Sequence, residues 1–257
     1  SLTGLGGGVV IVPLLTLVFG ADIHYAIGAS LISVIATSSG AAAAYVKEGF
    51  TNIRIGMFLE VATTLGALVG AYLAVRIAGN TIAVIFGFAL LYSAFASSQP
   101  RQKRLSDSIA TPLAMRLRLD GSFPEGDGMR SYHVQRVPGG FILMFVAGAL
   151  SGLLGIGAGA FKVIAMDRVM RIPFKVSTTT SNFMIGVTAA ASAGVYLDRG
   201  YIDPGLSMPV MLGVLIGSLL GAKLFFAAQT RVLRIVFGLV IFGLAVEMLY
   251  NGLAGSF

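Results

Sequence analysis

Lys162 is a single cation in an apolar, glycine-rich run, and it frames the chemistry open to this chain. The run, residues 148–163, reads GALSGLLGIGAGAFKV, with Gly155, Gly157 and Gly159 just ahead of the lysine. Closely spaced glycines break a helix, and a break frees backbone N–H groups whose partial positive charge attracts anions. Glycine also lets a ligand approach the backbone. These residues therefore suit a small anion held by N–H groups and an ammonium. Gly6, Gly7 and Gly8 repeat the pattern near the start of the chain. The competing reading of each glycine is close helix packing. For Lys162 it is a side chain that snorkels out to the membrane surface.

A second candidate group begins at Lys175, in the sequence KVSTTTSN. Ser177, Thr178, Thr179, Thr180, Ser181 and Asn182 put hydroxyls and an amide at a helix start. One residue is enough to cap a helix; the surplus can hydrogen-bond an oxyanion without adding charge, with Lys175 balancing it. Ser30 is the counterpart in the first half of the chain. Two titratable residues are candidates for ion coupling. His24 has an ordinary pKa suited to proton exchange, and Glu60 is a carboxylate within an apolar span. The plainer readings are an interfacial histidine and a carboxylate near the interface.

Other chemistries lack residues. The chain has no Cys, which removes disulfides, thiolate ligands and thiol nucleophiles. It has no His-x-x-x-His, no Gly-x-Ser-x-Gly and no paired carboxylates on one segment. Neither glycine run is a dinucleotide fingerprint in a βαβ setting. No enzyme activity, metal or cofactor is expected. The formal charge of +7 lacks the aromatic interleaving of a nucleic-acid surface.

The elements that must position these residues are membrane helices. Of 257 residues 56% are apolar and 11% are charged, with a mean hydropathy of +0.88. A soluble domain carries about 25% charged residues. Residues 26–46, 141–161 and 176–197 have no charge at all, and each is long enough to cross ~30 Å of hydrocarbon. Further spans are expected near 55–75, 81–98, 206–226 and 232–249.

A gap-free shift of 151 residues superposes the two halves. It carries Gly4, Gly6 and Gly8 onto Gly155, Gly157 and Gly159, His24 onto Lys175, and Ser30 onto Ser181. It also carries Thr37 onto Thr188, and Gly66 and Gly70 onto Gly217 and Gly221. The last four form small-xxx-small patterns that predict close helix packing. The expected fold is an all-α polytopic membrane protein of two homologous repeat units. Each unit is a glycine-broken segment followed by three transmembrane helices. The divisions are a first membrane repeat at 1–98, a cytoplasmic linker at 99–137 and a second membrane repeat at 138–257. The linker reads as a solvated connection, with a small hairpin possible over residues 113–119. The second unit has an apolar lead-in that the first lacks, so the sequence is expected to begin inside its first membrane element.

Charge decides how the units are related. If each glycine segment is re-entrant, the units are inverted and one side collects fifteen Lys and Arg against two on the other, with Lys162 inside. Four crossings per unit would split the basic residues almost evenly, against the positive-inside rule. Inverted repeats with broken helices meeting at the midplane are a known transporter plan.

With these motifs in view, the chain resembles the TauE/SafE family of membrane permeases, the sulfite exporter family. The resemblance rests on GLGGGVVIVPLL at 4–15, LSGLLGIGAGAFKV at 150–163 and PFKVSTTTSNFMIG at 173–186. It covers both units and leaves out only the linker. It implies a secondary transporter of sulfite, organosulfonates or related small anions, coupled to a proton or another ion gradient. It implies a multi-pass location in a cell membrane of the bacterial inner-membrane type. A passive anion channel and a membrane scaffold that recruits a partner through its linker remain alternatives. The hydroxyl run is absent from unit one, which predicts an asymmetric site.

Overall fold

In the computed structural model the described residues are 8–47, 50–98, 111–125, 128–227 and 230–255. Helices α1 (Gly8–Leu17), α2 (Ile23–Lys47), α3 (Ile53–Ala74) and α4 (Gly79–Ser98) come first. A short α5 (Pro112–Arg116) and a hairpin of β1 (Gly121–Glu125) and β2 (Gly128–Tyr132) follow. Then come α6 (Val137–Leu154), α7 (Gly159–Ile164) with a π-helical turn at Ala165–Val169, α8 (Phe174–Asp198), α9 (Pro204–Ala227) and α10 (Thr230–Ala254). The six helices read from apolar runs lie within a few residues of the expected spans. The longest, α2, α8 and α10, have 25 residues each, and about 20 residues suffice to cross ~30 Å.

The tightest packing joins α3 to α6. A Cβ at Gly66 would lie 2.0 Å from Phe145 O, and one at Gly70 would lie 1.9 Å from Ala149 O. Gly148 and Gly152 of α6 approach Thr63 O and Ala67 O in return, each at 2.1 Å. No side chain fits in such gaps, so four glycines let two backbones touch, side by side and in the same direction. The packing expected for Gly66 and Gly70 is present. Gly217 on α9 does not follow: among the described residues no atom lies within 4 Å of its would-be Cβ. The side-chain surroundings of Gly221 lie outside the described part.

Chain direction organises the bundle. α3 starts at Asn52, beside the linker, and ends at Ala74, the far end. α6 starts at the linker end and stops at Gly155, which is left-handed (φ 67°). Gly157 (φ 69°) and Ala158 (φ 44°) keep the chain turning. α7 and the π-helical turn then run back, and the Gln135 N–H donates to Met170 O at 3.0 Å, so the segment ends where it began. α1 leaves the break the other way: Gly8 sits against Gly155, and residue 23 opens α2 at the far end.

The linker corrects two expectations. Residues 113–119 are not a hairpin, because Pro112 at the first helical position starts α5. The hairpin lies at 121–132, in antiparallel register from Gly121↔Tyr132 to Glu125↔Gly128, so the chain is not wholly α-helical. Nor is this part merely solvated. Leu119, Phe123, Tyr132 and Val134 are buried with Ile55, Leu59, Met144 and Met166 in one apolar cluster. Asn52 ties it to the bundle: Oδ1 accepts from Ile55 N at 3.0 Å, Nδ2 donates to the Tyr132 hydroxyl at 2.7 Å, and its own N–H donates to Thr180 Oγ1 at 3.1 Å. Burial pushes the Tyr132 phenol up and Asp120 adds to this, against the hydrogen bond from Asn52. A cleft of about 290 Å³ between the hairpin and the start of α3 is lined by Arg54, Arg118, Asp120 and Tyr132. Residues 99–110 of the expected linker lie outside the described part.

Candidate functional site

The break is where α3 and α7 bring charge into the interior, joined through α8. Lys162, on α7, is fully buried. Its Nζ donates to Thr188 Oγ1 of α8 at 2.5 Å. Thr188 Oγ1 in turn donates to Glu60 Oε1 of α3 at 2.7 Å, with Met184 O as its other acceptor at 3.0 Å. Thr64 Oγ1 donates to the same carboxylate oxygen at 3.2 Å. Glu60 is itself 9% exposed, and its Oε2 has no hydrogen-bond partner. Lys162 and Glu60 are thus joined through a single hydroxyl. Placing a Lys at a membrane centre costs roughly 2.5–3.5 kcal/mol on insertion scales. The carboxylate, bridged through one hydroxyl, offsets that cost. An ammonium carries three donors, and Thr188 takes one of them.

Packing around the break holds Lys162 in place. A Cβ on Gly8 would lie 2.6 Å from Gly155 O and 2.7 Å from Ser30 Oγ. The Ser30 hydroxyl donates to Gly155 O at 2.8 Å. Ile27 fills the space beside Gly155, while Ile185 and Val34 flank Gly157. The Ser181 hydroxyl donates to Gly159 O at 3.3 Å. Tyr196, buried on α8, donates to Gly152 O at 3.2 Å and so takes up a carbonyl at the end of α6. Gly8, Ser30, Gly155, Gly157, Gly159, Lys162 and Ser181 therefore meet at one place, with Glu60 joined to them through Thr188. Gly6 and Gly7 lie outside the described residues.

The rest of the hydroxyl run is largely committed to backbone. Ser177 Oγ donates to Ile172 O at 3.2 Å, Thr179 Oγ1 to Lys175 O at 3.0 Å, and Thr180 Oγ1 accepts from Asn52. Thr178 Oγ1 and Asn182 Nδ2, one turn apart, are buried without a partner. Lys175 is exposed, with Nζ 5.4 Å from the centre of the Phe50 ring at the linker end. Thirteen residues of α8 separate it from Thr188, about 20 Å along the helix. The structure does not bring Lys175 to Lys162. His24 lies at the far end, with Nδ1 3.1 Å from Asp22 Oδ1, Nε2 3.2 Å from Ala74 O, and its ring stacked on Tyr201. It is separate from Glu60.

Sequence reading missed the roles of Thr188 and Thr64. Thr188 lies two helical turns past Ser181, on the face that meets the break, and that spacing was the available signal. Among the described residues no group of three or more His, Cys, Asp or Glu is arranged to hold a metal.

Comparison with known proteins agrees with this architecture. The family model described as "Sulfite exporter TauE/SafE" matches residues 1–248. The chain is 28% identical over 267 aligned residues to the probable membrane transporter protein YunE of Bacillus subtilis, covering 98% of this chain and 93% of that protein. It is 27% identical to the probable membrane transporter protein YdhB of the same organism, covering 86% and 82%. It is 24% identical to a probable membrane transporter protein of Xylella fastidiosa, covering 99% and 91%. No solved structure matches. Long apolar helices, a helix pair broken inside the bundle and a family match over nearly the whole length lead to one identification: the chain belongs to the sulfite exporter TauE/SafE family and is a multi-pass membrane transporter, not an enzyme.

Proposed function

We propose that this chain is a secondary transporter of small sulfur-containing anions, such as sulfite or organosulfonates, driven by an ion gradient. The observation that carries this reading is Lys162: a fully buried ammonium next to a helix break, which among the described residues donates to Thr188 alone and is linked through it to the Glu60 carboxylate. A buried cation suits a small oxyanion, and a hydrogen bond to an ionised group is about twice as strong as a neutral one. The anion site centres on Lys162 and the residues of the break.

Chain direction supports two inverted halves. His24 and Lys175, equivalent under the 151-residue shift, lie at opposite ends of α3. α1 and α7 leave the break in opposite directions. Rocking of one half against the other would then expose the break to each side in turn. The linker, with the basic residues of its end, faces the cytoplasm on the positive-inside rule, in a membrane of bacterial inner-membrane type.

Uptake of labelled sulfite into proteoliposomes, with and without an imposed pH gradient, tests the reading. Saturable uptake that grows with the gradient and is lost in Lys162→Ala is the expected result. Uptake that follows voltage alone would mean a passive anion channel, and no uptake of sulfite or a sulfonate by folded protein would refute transport of this class.

A further inference from the structure

We infer that Glu60 is a proton-binding site that competes with the anion for Lys162, so that one anion crosses with one proton. This rests on the transport reading above. Its basis is charge balance. With the anion absent, the ammonium of Lys162 and the carboxylate of Glu60 cancel across the Thr188 hydroxyl. A singly charged anion, bisulfite or a sulfonate, arriving at Lys162 would leave the pair with a net negative charge, unless Glu60 takes up a proton. A proton arriving alone would leave a net positive charge. A buried uncompensated charge is strongly disfavoured. Only the empty state and the state with both proton and anion are neutral.

The geometry favours this division of labour. Glu60 Oε1 is engaged by Thr188 and Thr64, whereas Oε2 is buried with no donor. Oε2 is the oxygen open to a proton. Protonation there removes the charge that holds Lys162 and leaves the Thr188 bridge in place.

Among the described residues that the structure places, the neighbouring elements keep their other charges away from this pair. α6 has no ionisable side chain, and α4 has only Tyr92, which is stacked on Phe161. On α8, Lys175 and Asp198 lie near the two ends, about 20 and 15 Å from Thr188 along the helix. The Arg54 guanidinium donates to Arg118 O. Asp167 and Arg168, on the π-helical turn, lie five and six residues past Lys162, and neither is free. His24, on α2, is held at the far end by Asp22 and Ala74.

The 151-residue shift places Ile11, Thr37 and Met211 where Lys162, Thr188 and Glu60 stand. The charged pair therefore occurs once, and one coupled site per chain follows.

The experiment compares wild type, Glu60→Gln, Thr188→Ser and Thr188→Val in proteoliposomes, using labelled sulfite. Counterflow exchange reads transport, and accumulation under an imposed pH gradient reads coupling. Wild type should accumulate about tenfold per pH unit, as one proton per anion requires, with little response to a clamped membrane potential. Glu60→Gln should still exchange, but its accumulation ratio should fall toward one and its flux should become voltage-sensitive. Thr188→Ser should stay coupled, and Thr188→Val should lose coupling. Because each variant meets the same sulfite, protonation of sulfite itself cancels from the comparison. Accumulation by Glu60→Gln equal to wild type overturns the inference. If Glu60→Gln does not fold, equal coupling in Thr188→Val and wild type overturns it. Wild-type counterflow without gradient dependence refutes the coupling but spares the transport reading. Absence of wild-type counterflow removes both.

Discussion

Replacing Lys162 with Met keeps an unbranched side chain, one heavy atom shorter, and removes its charge. Glu60 then stays buried, with Thr188 and Thr64 as its donors and nothing to balance it. Removing one partner of a buried pair costs about 3–5 kcal/mol. For a chain of this size 1 kcal/mol moves Tm by about 2–4 °C, so a fall of about 6–20 °C is expected. Glu60→Gln alone should cost a similar amount, because it strands the ammonium. The double variant, Lys162→Met with Glu60→Gln, restores neutrality and leaves the amide oxygen to accept from Thr188. It should lie within about 1 kcal/mol of wild type, since buried pairs replaced by neutral groups of similar volume are often neutral or better. Thermal unfolding in mild detergent, read by loss of the monodisperse peak after heating, measures all four proteins. A double variant as unstable as the sum of the singles would show that the two charges do not interact, and would refute the neutral-pair reasoning.

Gly70→Leu drives a side chain into Ala149 O across the α3–α6 contact; overpacking of this kind costs about 1–3 kcal/mol or more, visible as a lower Tm and lost uptake. Gly217→Leu, with open space around it, should change Tm by less than about 2 °C, since surface substitutions stay within ±0.5 kcal/mol. Asn52→Ala removes the α3 cap and the tie to Tyr132 together. Loss of the cap alone costs about 0.5–2 kcal/mol, and limited proteolysis should cut the hairpin region faster. Lys175→Ala should leave sulfite affinity within about twofold, because a site about 20 Å away is screened from it; a larger loss, read from competition with labelled sulfite, would put Lys175 back in the anion path.

Much of this architecture was legible in the sequence because apolar runs end abruptly at charges, prolines and glycines. α3 and α8 lie close to residues 55–75 and 176–197, and the break falls on Gly155, Gly157 and Ala158. The site was only partly legible. Glu60 and Lys162 stood out as charges in hydrocarbon. Thr188, the group that joins them, did not, because a lone threonine in a helix usually bonds to its own backbone, as Thr37 does to Ser33 O, and its partner Glu60 is 128 residues away. The run from Ser177 looked like a ligand cradle because sequence does not reveal which carbonyls lie nearby. Ile172 O and Gly159 O take up two of those hydroxyls. The docked linker was missed for a similar reason: Leu119, Phe123 and Val134 are too scattered to mark a core until the start of α3 supplies the rest of it. Gly66 and Gly217 share a motif, yet only Gly66 meets a backbone; a pattern of small residues permits close packing without supplying the partner.

The measurement that bears most directly on the function is uptake of labelled sulfite by reconstituted protein, with an imposed pH gradient and without one, in wild type and Lys162→Met. Saturable uptake that rises with the gradient in wild type and disappears in Lys162→Met is the expected result. Equal uptake by the two proteins, both shown to be folded, would mean that the buried ammonium is not where the anion passes.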